Sequence, residues 1–389
     1  MFRMGELEVK AVEKVLMSHK LFRIGEGEEM QVNSFEKEFR EKMGVGHCLC
    51  LASGTGGLIA ALSALGVGPG DEVIVPGYTF IATAIAALAV GAIPVVAEIN
   101  ETLTLDMDDV EKKITPNTKC VMPVHIQGFP CDMDKLMALK DKYGFYVVED
   151  SCQADGGSYK GKRLGTIGDC GAYSFNYFKI ISAGEGGAMV TNNIDLYQRA
   201  IIYHDCGSAF WSYETPITAP LYTGTNMRVS EITGAIMRAQ LTRLDGILDD
   251  LRRVKRTIIE AVKDIPALKP NPSNDMEGDC GVCLPFIFDD VETAIKFEKA
   301  VGGSRPINTG KHVYSNWTPI LEKRGAHSSA LNPYENPKNA HLRLDTTADC
   351  CPKTLDILSR SVYIMLHCDW DEAKINEVIA KIREAAATL

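Results

Sequence analysis

Residues 118–151 of the chain read TKCVMPVHIQGFPCDMDKLMALKDKYGFYVVEDS. Two β-rich apolar runs, TKCVMPVHI and FYVVEDS, bracket MDKLMALKDKYG, whose apolar residues recur at helical spacing and which ends on glycine. Strand, helix and strand in that order predict two parallel strands joined by a crossover helix. The alternation continues on both sides. DEVIVPG and IPVVAEI upstream, and GAYSF and AMVTN downstream, read as strands; GTGGLIAALSALG and ATAIAALAVG have helical spacing. Residues 51–191 therefore predict an α/β fold built on a largely parallel sheet.

A helical run from Ser230 to about Lys263 leads out of this layered region, and the proline-rich ALKPNPSND (267–275) after it marks a boundary. We expect a large domain with its N-terminal segment over residues 1–264 and a smaller α+β domain over 265–389. The second would hold strands at GVCLPFIF and SVYIML and helices at TAIKFEKAV and DEAKINEVIAKIREAAATL.

Composition narrows the function. The 389 residues are 46% hydrophobic and 24% charged, the ordinary balance of a globular protein. A net charge of -10, from 41 basic and 51 acidic residues with the basic ones scattered, argues against a nucleic-acid partner. No run of about 18 uncharged apolar residues is present to span a bilayer, and MFRMGELEVKAVEKVLMSHK lacks the basic start and apolar run of a secretory signal. No membrane association and a cytoplasmic location are expected. The 12 cysteines, including Cys48/Cys50 and Cys350/Cys351, read as reduced thiols. Cys280 and Cys283 have CxxC spacing without a second ligand pair, so no metal is expected.

Three segments carry candidate chemistry. Ser53-Gly54-Thr55-Gly56-Gly57 directly precedes an apolar helix, where free backbone N–H groups and the helix dipole can hold a phosphate; a simple helix cap by Ser53 or Thr55 reads equally well. Asp150 closes a strand at the carboxyl edge, where open α/β sheets bind ligands. A buried carboxylate there needs a cationic partner, a protonated ring nitrogen or a metal, unless it caps the next segment. Gly156–Arg163 nearly matches the nucleotide loop GxxxxGK[ST], yet Arg163 replaces the hydroxyl that holds magnesium, so it reads as a surface turn. Lys179, in SFNYFKIISAGEGG (174–187), lies between Phe178 and Ile180. Apolar company lowers an amine's pKa and frees it as a nucleophile, while a solvated lysine is the ordinary alternative. The glycine-rich turn that follows would leave room for a planar cofactor.

SGT, a TF after a strand, EDSCQA and SFxxxKxxxxGEGG in this order, with GxNxR at Gly224–Arg228 and Cys351-Pro352 downstream, resemble the DegT/DnrJ/EryC1/StrS sugar aminotransferases along nearly the whole chain. That resemblance implies a fold-type I pyridoxal-phosphate enzyme with pyridoxal 5'-phosphate as cofactor. Lys179 resembles the lysine that carries the cofactor and acts as base, and Asp150 the partner of the pyridine nitrogen. Gln153 resembles the side chain near the ring's 3-hydroxyl, and Phe80, rather than Tyr78, the aromatic that stacks on the ring. Gly54, Thr55 and Ser174, with Ser53 before them, resemble the phosphate ligands. Asn226 resembles a phosphate contact given by the neighbouring subunit, which implies a homodimer with shared sites. His312, Tyr314 and Trp317, in GKHVYSNW, resemble a segment near the sugar site, with a core patch as the other reading; His125 would lie behind the site.

The implied reaction is transfer of an amino group from L-glutamate to a keto-sugar for bacterial cell-surface polysaccharide. SFNYFKIISAGEGG and SAFW (208–211) are similar to transaminases forming the lipopolysaccharide sugar 8-amino-3,8-dideoxy-octulosonate (Kdo8N). Alternatives are a nucleotide-linked 3- or 4-keto-hexose acceptor, a pyridoxamine-phosphate-dependent sugar dehydratase and a cofactor-less auxiliary protein. Known 3-dehydratase branches carry histidine at the position of Lys179, and auxiliary relatives lose the lysine or the phosphate motif.

Overall fold

A computed structural model of the chain describes residues 3–25, 30–207 and 216–389. After helices α1 (Glu6–Ser18) and α2 (Gln31–Met43), five strands alternate with helices: β1 (His47–Leu51), α3 (Gly54–Ala64), β2 (Glu72–Pro76), α4 (Ala82–Ala89), β3 (Ile93–Ala97), α5 (Met107–Lys113), β4 (Thr118–Val121), α6 (Met133–Tyr143) and β5 (Tyr146–Asp150). A small hairpin, β6 (Ser158–Tyr159) and β7 (Lys162–Arg163), precedes β8 (Cys170–Ser174), β9 (Gly187–Thr191) and α7 (Ile194–His204). The hairpin is the nucleotide-loop look-alike. Its central residues Lys160 and Gly161 have φ of 50° and 82°, the left-handed pair that closes a two-residue turn.

The seven-stranded sheet has the order β1-β9-β8-β5-β4-β2-β3. β9 runs antiparallel to both its neighbours, and the other pairs are parallel. Both faces are covered, and strand periodicity divides the side chains between them. Cys48, Cys50 and Ile74 join a core with Phe35 of α2, Val110 of α5 and Leu136 of α6. Leu49, Leu51, Val73 and Val75 point the other way, onto Leu58 of α3, Ala84 of α4 and Leu196 of α7.

Helix α8 (Glu231–Val262) is capped by the Ser230 hydroxyl, which accepts from Thr233 N–H. A second sheet follows, β10 (Lys269–Pro270), β11 (Cys283–Ile287) and β12 (Ser361–Met365), with α9 (Val291–Val301), α10 (Thr318–Leu321), α11 (Pro352–Arg360) and α12 (Glu372–Ala386). The core is continuous across residue 264, since Val254 and Ile258 of α8 pack in one cluster with Phe286, Phe297 and Ile382. Residues 314–351 return to the first sheet, where Tyr314, Trp317 and Cys351 pack with Leu58 and Ala84. Cys280 and Cys283 are fully buried thiols. Among the described residues, no helix is long and apolar enough to cross a membrane.

Candidate active site

The carboxyl ends of β2, β5 and β8 open onto a cavity of about 670 Å³. Its walls include nine residues singled out in the sequence: Ser53, Gly54, Thr55, Phe80, Asp150, Gln153, Ser174, Lys179 and His312. They arrive there because parallel strands end at one edge and the loops after them carry their side chains over the same crevice.

Asp150, the last residue of β5, is only 5% exposed. Its Oδ2 accepts from the Thr83 hydroxyl at 2.7 Å and its Oδ1 from the Cys152 N–H at 3.1 Å. A carboxylate so placed, with no arginine, lysine or histidine bonded to it among the described residues, has the donor set of a group awaiting a cationic partner. Lys179 follows β8 in a turn closed by its own N–H to the Asn176 carbonyl, and its half-buried side chain reaches the cavity. Phe80 is 42% exposed, with its ring centroid 5.4 Å from that of His312. It presents an open aromatic face, whereas Tyr78 is buried in the core.

At the start of α3 the Ser53 hydroxyl accepts the Gly56 N–H at 3.0 Å. Ser53 is therefore a helix cap, and the first N–H groups after it have no acceptor within the helix. These open N–H groups at Gly54 and Thr55, with the Ser174 hydroxyl alongside, are a fitting cradle for a phosphate. Gly54 is required by close packing: a Cβ there would lie 2.6 Å from Cys152 Sγ and 2.8 Å from Ser174 Cβ.

Several sequence expectations need correction. Tyr314 and Trp317 do not reach the cavity. Both are fully buried, the Tyr314 hydroxyl accepting the Cys351 N–H and the Trp317 ring N–H donating to the Lys311 carbonyl; of that cluster only His312 lines the site. Apolar shielding of Lys179 by Phe178 is absent, since Phe178 is 80% exposed. Within the glycine-rich turn Gly184 faces open space and Glu185 lines the cavity, whereas Gly187 makes room for polypeptide: a Cβ there would sit 2.3 Å from the Ser53 carbonyl carbon. Asn226, expected to serve a neighbouring subunit and not its own chain, needs no such correction: it is exposed and lies outside its own chain's cavity, pairing with Asp205 in an isolated bridge. SAFW (208–211) lies outside the described residues.

The structure also brings in residues the sequence reading passed over. Thr83, fully buried, stands four residues after Thr79 of the cavity wall, and their hydroxyls are 2.7 Å apart; that spacing is the available signal. Gln127, in the short turn Ile126–Gly128, lines the cavity with a left-handed backbone, φ 50° and ψ 25°. His125, which the sequence already placed behind the site, is buried there, with Nε2 3.1 Å from Glu149 Oε2 and Nδ1 accepting the Cys131 N–H.

A model of the DegT/DnrJ/EryC1/StrS aminotransferase family matches residues 3–303. The chain is 41% identical over 225 residues to GDP-perosamine synthase of Caulobacter vibrioides, covering 57% of this chain and 58% of that protein. It spans little more than half the length of such relatives. It is 30% identical to the spore coat polysaccharide biosynthesis protein SpsC of Bacillus subtilis, over 91% of this chain and 89% of that one. A crystal structure of 3-amino-5-hydroxybenzoic acid synthase is similar over 100% of this chain and 98% of that one, with a TM-score of 0.81 and 27% identity.

Proposed function

The chain belongs to the DegT/DnrJ/EryC1/StrS aminotransferase family, and on that premise we propose that it is a pyridoxal-phosphate-dependent aminotransferase that moves an amino group from L-glutamate to a keto-sugar. The observation that carries this reading is the convergence of the Lys179 amine, the Asp150 carboxylate and the open N-terminus of α3 on one cavity. Those groups suit the three polar features of the cofactor: its aldehyde, its ring nitrogen and its phosphate.

Bound there, the cofactor supplies an electron sink for the carbanion left when the donor's α-proton departs. Asp150, held by Thr83 and the Cys152 N–H, would pair with the protonated ring nitrogen. Lys179 would hold the cofactor through its amine and, once released, would serve as the base that takes the donor's α-proton. The same amine would return a proton when the keto-sugar is the substrate. Gly54, Thr55 and Ser174 would hold the phosphate, Gln153 would serve the 3-hydroxyl, and Phe80 would offer its ring face. Asn226, off its own cavity, completes the phosphate site of a second copy, so the working unit is a homodimer.

A soluble cytoplasmic enzyme feeding cell-surface polysaccharide suits this reading. A relative named for a GDP-linked amino sugar supports a nucleotide-linked keto-hexose as acceptor. The competing acceptor, the eight-carbon acid sugar leading to Kdo8N, rests on residues 174–187 and 208–211. The deciding experiment incubates the purified protein and cofactor with L-glutamate and either acceptor class, and reads product by mass spectrometry. We expect an aminated sugar with 2-oxoglutarate, and none with Lys179→Ala. No product from either class, from protein without a violet absorbance band, would sink the proposal.

A further inference from the structure

Gln127 occupies a backbone conformation that side chains with a Cβ rarely adopt, φ 50° and ψ 25°. Strain of this kind persists only where the surroundings hold it, and it gathers at ligand sites. Here it is held on both sides. The Gln127 N–H donates to Gln153 Oε1 at 3.1 Å. The next residue, Gly128, donates to the His125 carbonyl and accepts from the Cys280 N–H. His125 itself is pinned between Glu149 and the Cys131 N–H. The turn therefore stands on a rigid buried base, and what it presents is the Gln127 side chain, half-buried in the cavity wall. Among the described residues that carboxamide has no hydrogen-bond partner.

His312 also lines this cavity. Its Nδ1 lies 3.3 Å from the Thr309 carbonyl, which can only accept, so Nδ1 carries the proton and Nε2 is left as an acceptor. Burial first, and the charge of Lys179 with it, push the ring below its ordinary pKa, so it is neutral at pH 7. A free carboxamide offers two donors and an acceptor, and a neutral imidazole adds another acceptor. Hydroxyl groups, each donor and acceptor at once, match this set better than a charged group does.

We propose that Gln127 is a substrate-binding residue, holding hydroxyls of the polyhydroxylated amino-group acceptor, and that the strained turn exists to present it. The inference rests on the aminotransferase reading above. It assigns Gln127 to the acceptor and leaves the cofactor to its neighbour Gln153.

Two variants test it, Gln127→Met, which keeps the length without the polar head, and Gln127→Gly, which removes both side chain and strain. The probes are L-glutamate for the donor half-reaction and both a nucleoside-diphosphate-linked 4-keto-hexose and an eight-carbon keto-acid sugar for the acceptor half-reaction. With Gln127→Met we expect the acceptor KM to rise roughly tenfold, as for loss of one buried hydrogen bond, with the violet absorbance band and the glutamate half-reaction unchanged. Gln127→Gly should weaken the acceptor equally while melting at or above the wild-type Tm, by about 1–2 °C. A structural residue would not show that split. An unchanged acceptor KM, a lost absorbance band, a slowed glutamate half-reaction or a lowered Tm for Gln127→Gly overturns the inference while leaving the aminotransferase reading intact. Wild-type protein that absorbs in the violet but aminates neither acceptor overturns it too, and wild-type protein with neither property removes both.

Discussion

The Thr83 hydroxyl donates to Oδ2 of Asp150 at 2.7 Å, joining the first turn of α4 to the last residue of β5. Both partners are buried, so the bond sets the direction of the carboxylate that faces the proposed ring nitrogen. Hydrogen bonds to charged groups are worth about 1.5–3 kcal/mol. Thr83→Val, nearly the same shape without the donor, should therefore lower turnover roughly tenfold or more while the protein still binds cofactor. Steady-state rates beside the absorbance spectrum check this; unchanged turnover would mean that Thr83 only fills space.

Gly187 on β9 passes so close to the Ser53–Gly54 backbone that a methyl group would lie 2.3 Å from the Ser53 carbonyl carbon and 2.5 Å from the Gly54 nitrogen. Backbone cannot swing aside as a long side chain can. Gly187→Ala should cost about 3 kcal/mol through overpacking and displace the start of α3, so that Tm and cofactor affinity fall together. A variant with wild-type Tm would contradict the packing described here.

How much of this was legible in the sequence depends on whether a feature is local or made by packing. The βαβ alternation and Asp150 at a strand end follow from short-range pattern, and both stand in the structure. Tyr314 and Trp317 look like a sugar-binding aromatic patch because aromatics serve both purposes, and only their hydrogen bonds to Cys351 and Lys311 place them in the core. Gly187 reads as room for a ligand until the chain segment it must pass, more than 130 residues away, is seen beside it. Gln127 carries no sequence signal, since nothing in IQG reveals a left-handed glutamine; the strain is imposed by Gln153, His125 and Cys280.

His204 gives a pH dependence with a definite sign. Its ring is buried, Nδ1 lying 2.7 Å from the Ile201 carbonyl and Nε2 facing Arg23 at 3.2 Å. Burial, helped by the Arg23 charge, pushes its pKa down to about 3, against about 6.5 in an unfolded chain. Between those values the unfolded chain binds a proton that the native protein does not. Stability therefore falls as pH drops below about 6.5, by up to about 1.4 kcal/mol per unit. Urea unfolding at pH 7 and pH 5 should show a loss about 2 kcal/mol larger for wild type than for His204→Gln. Equal losses would mean that His204 is protonated in the folded state.

Everything proposed for this site depends on Lys179 carrying the cofactor. Borohydride fixes a cofactor held on a lysine amine, and peptide mass mapping then locates it. We expect one modified lysine, Lys179, and none in Lys179→Ala; a label on another lysine, or none on the wild-type protein after incubation with pyridoxal 5'-phosphate, would show that Lys179 does not carry the cofactor.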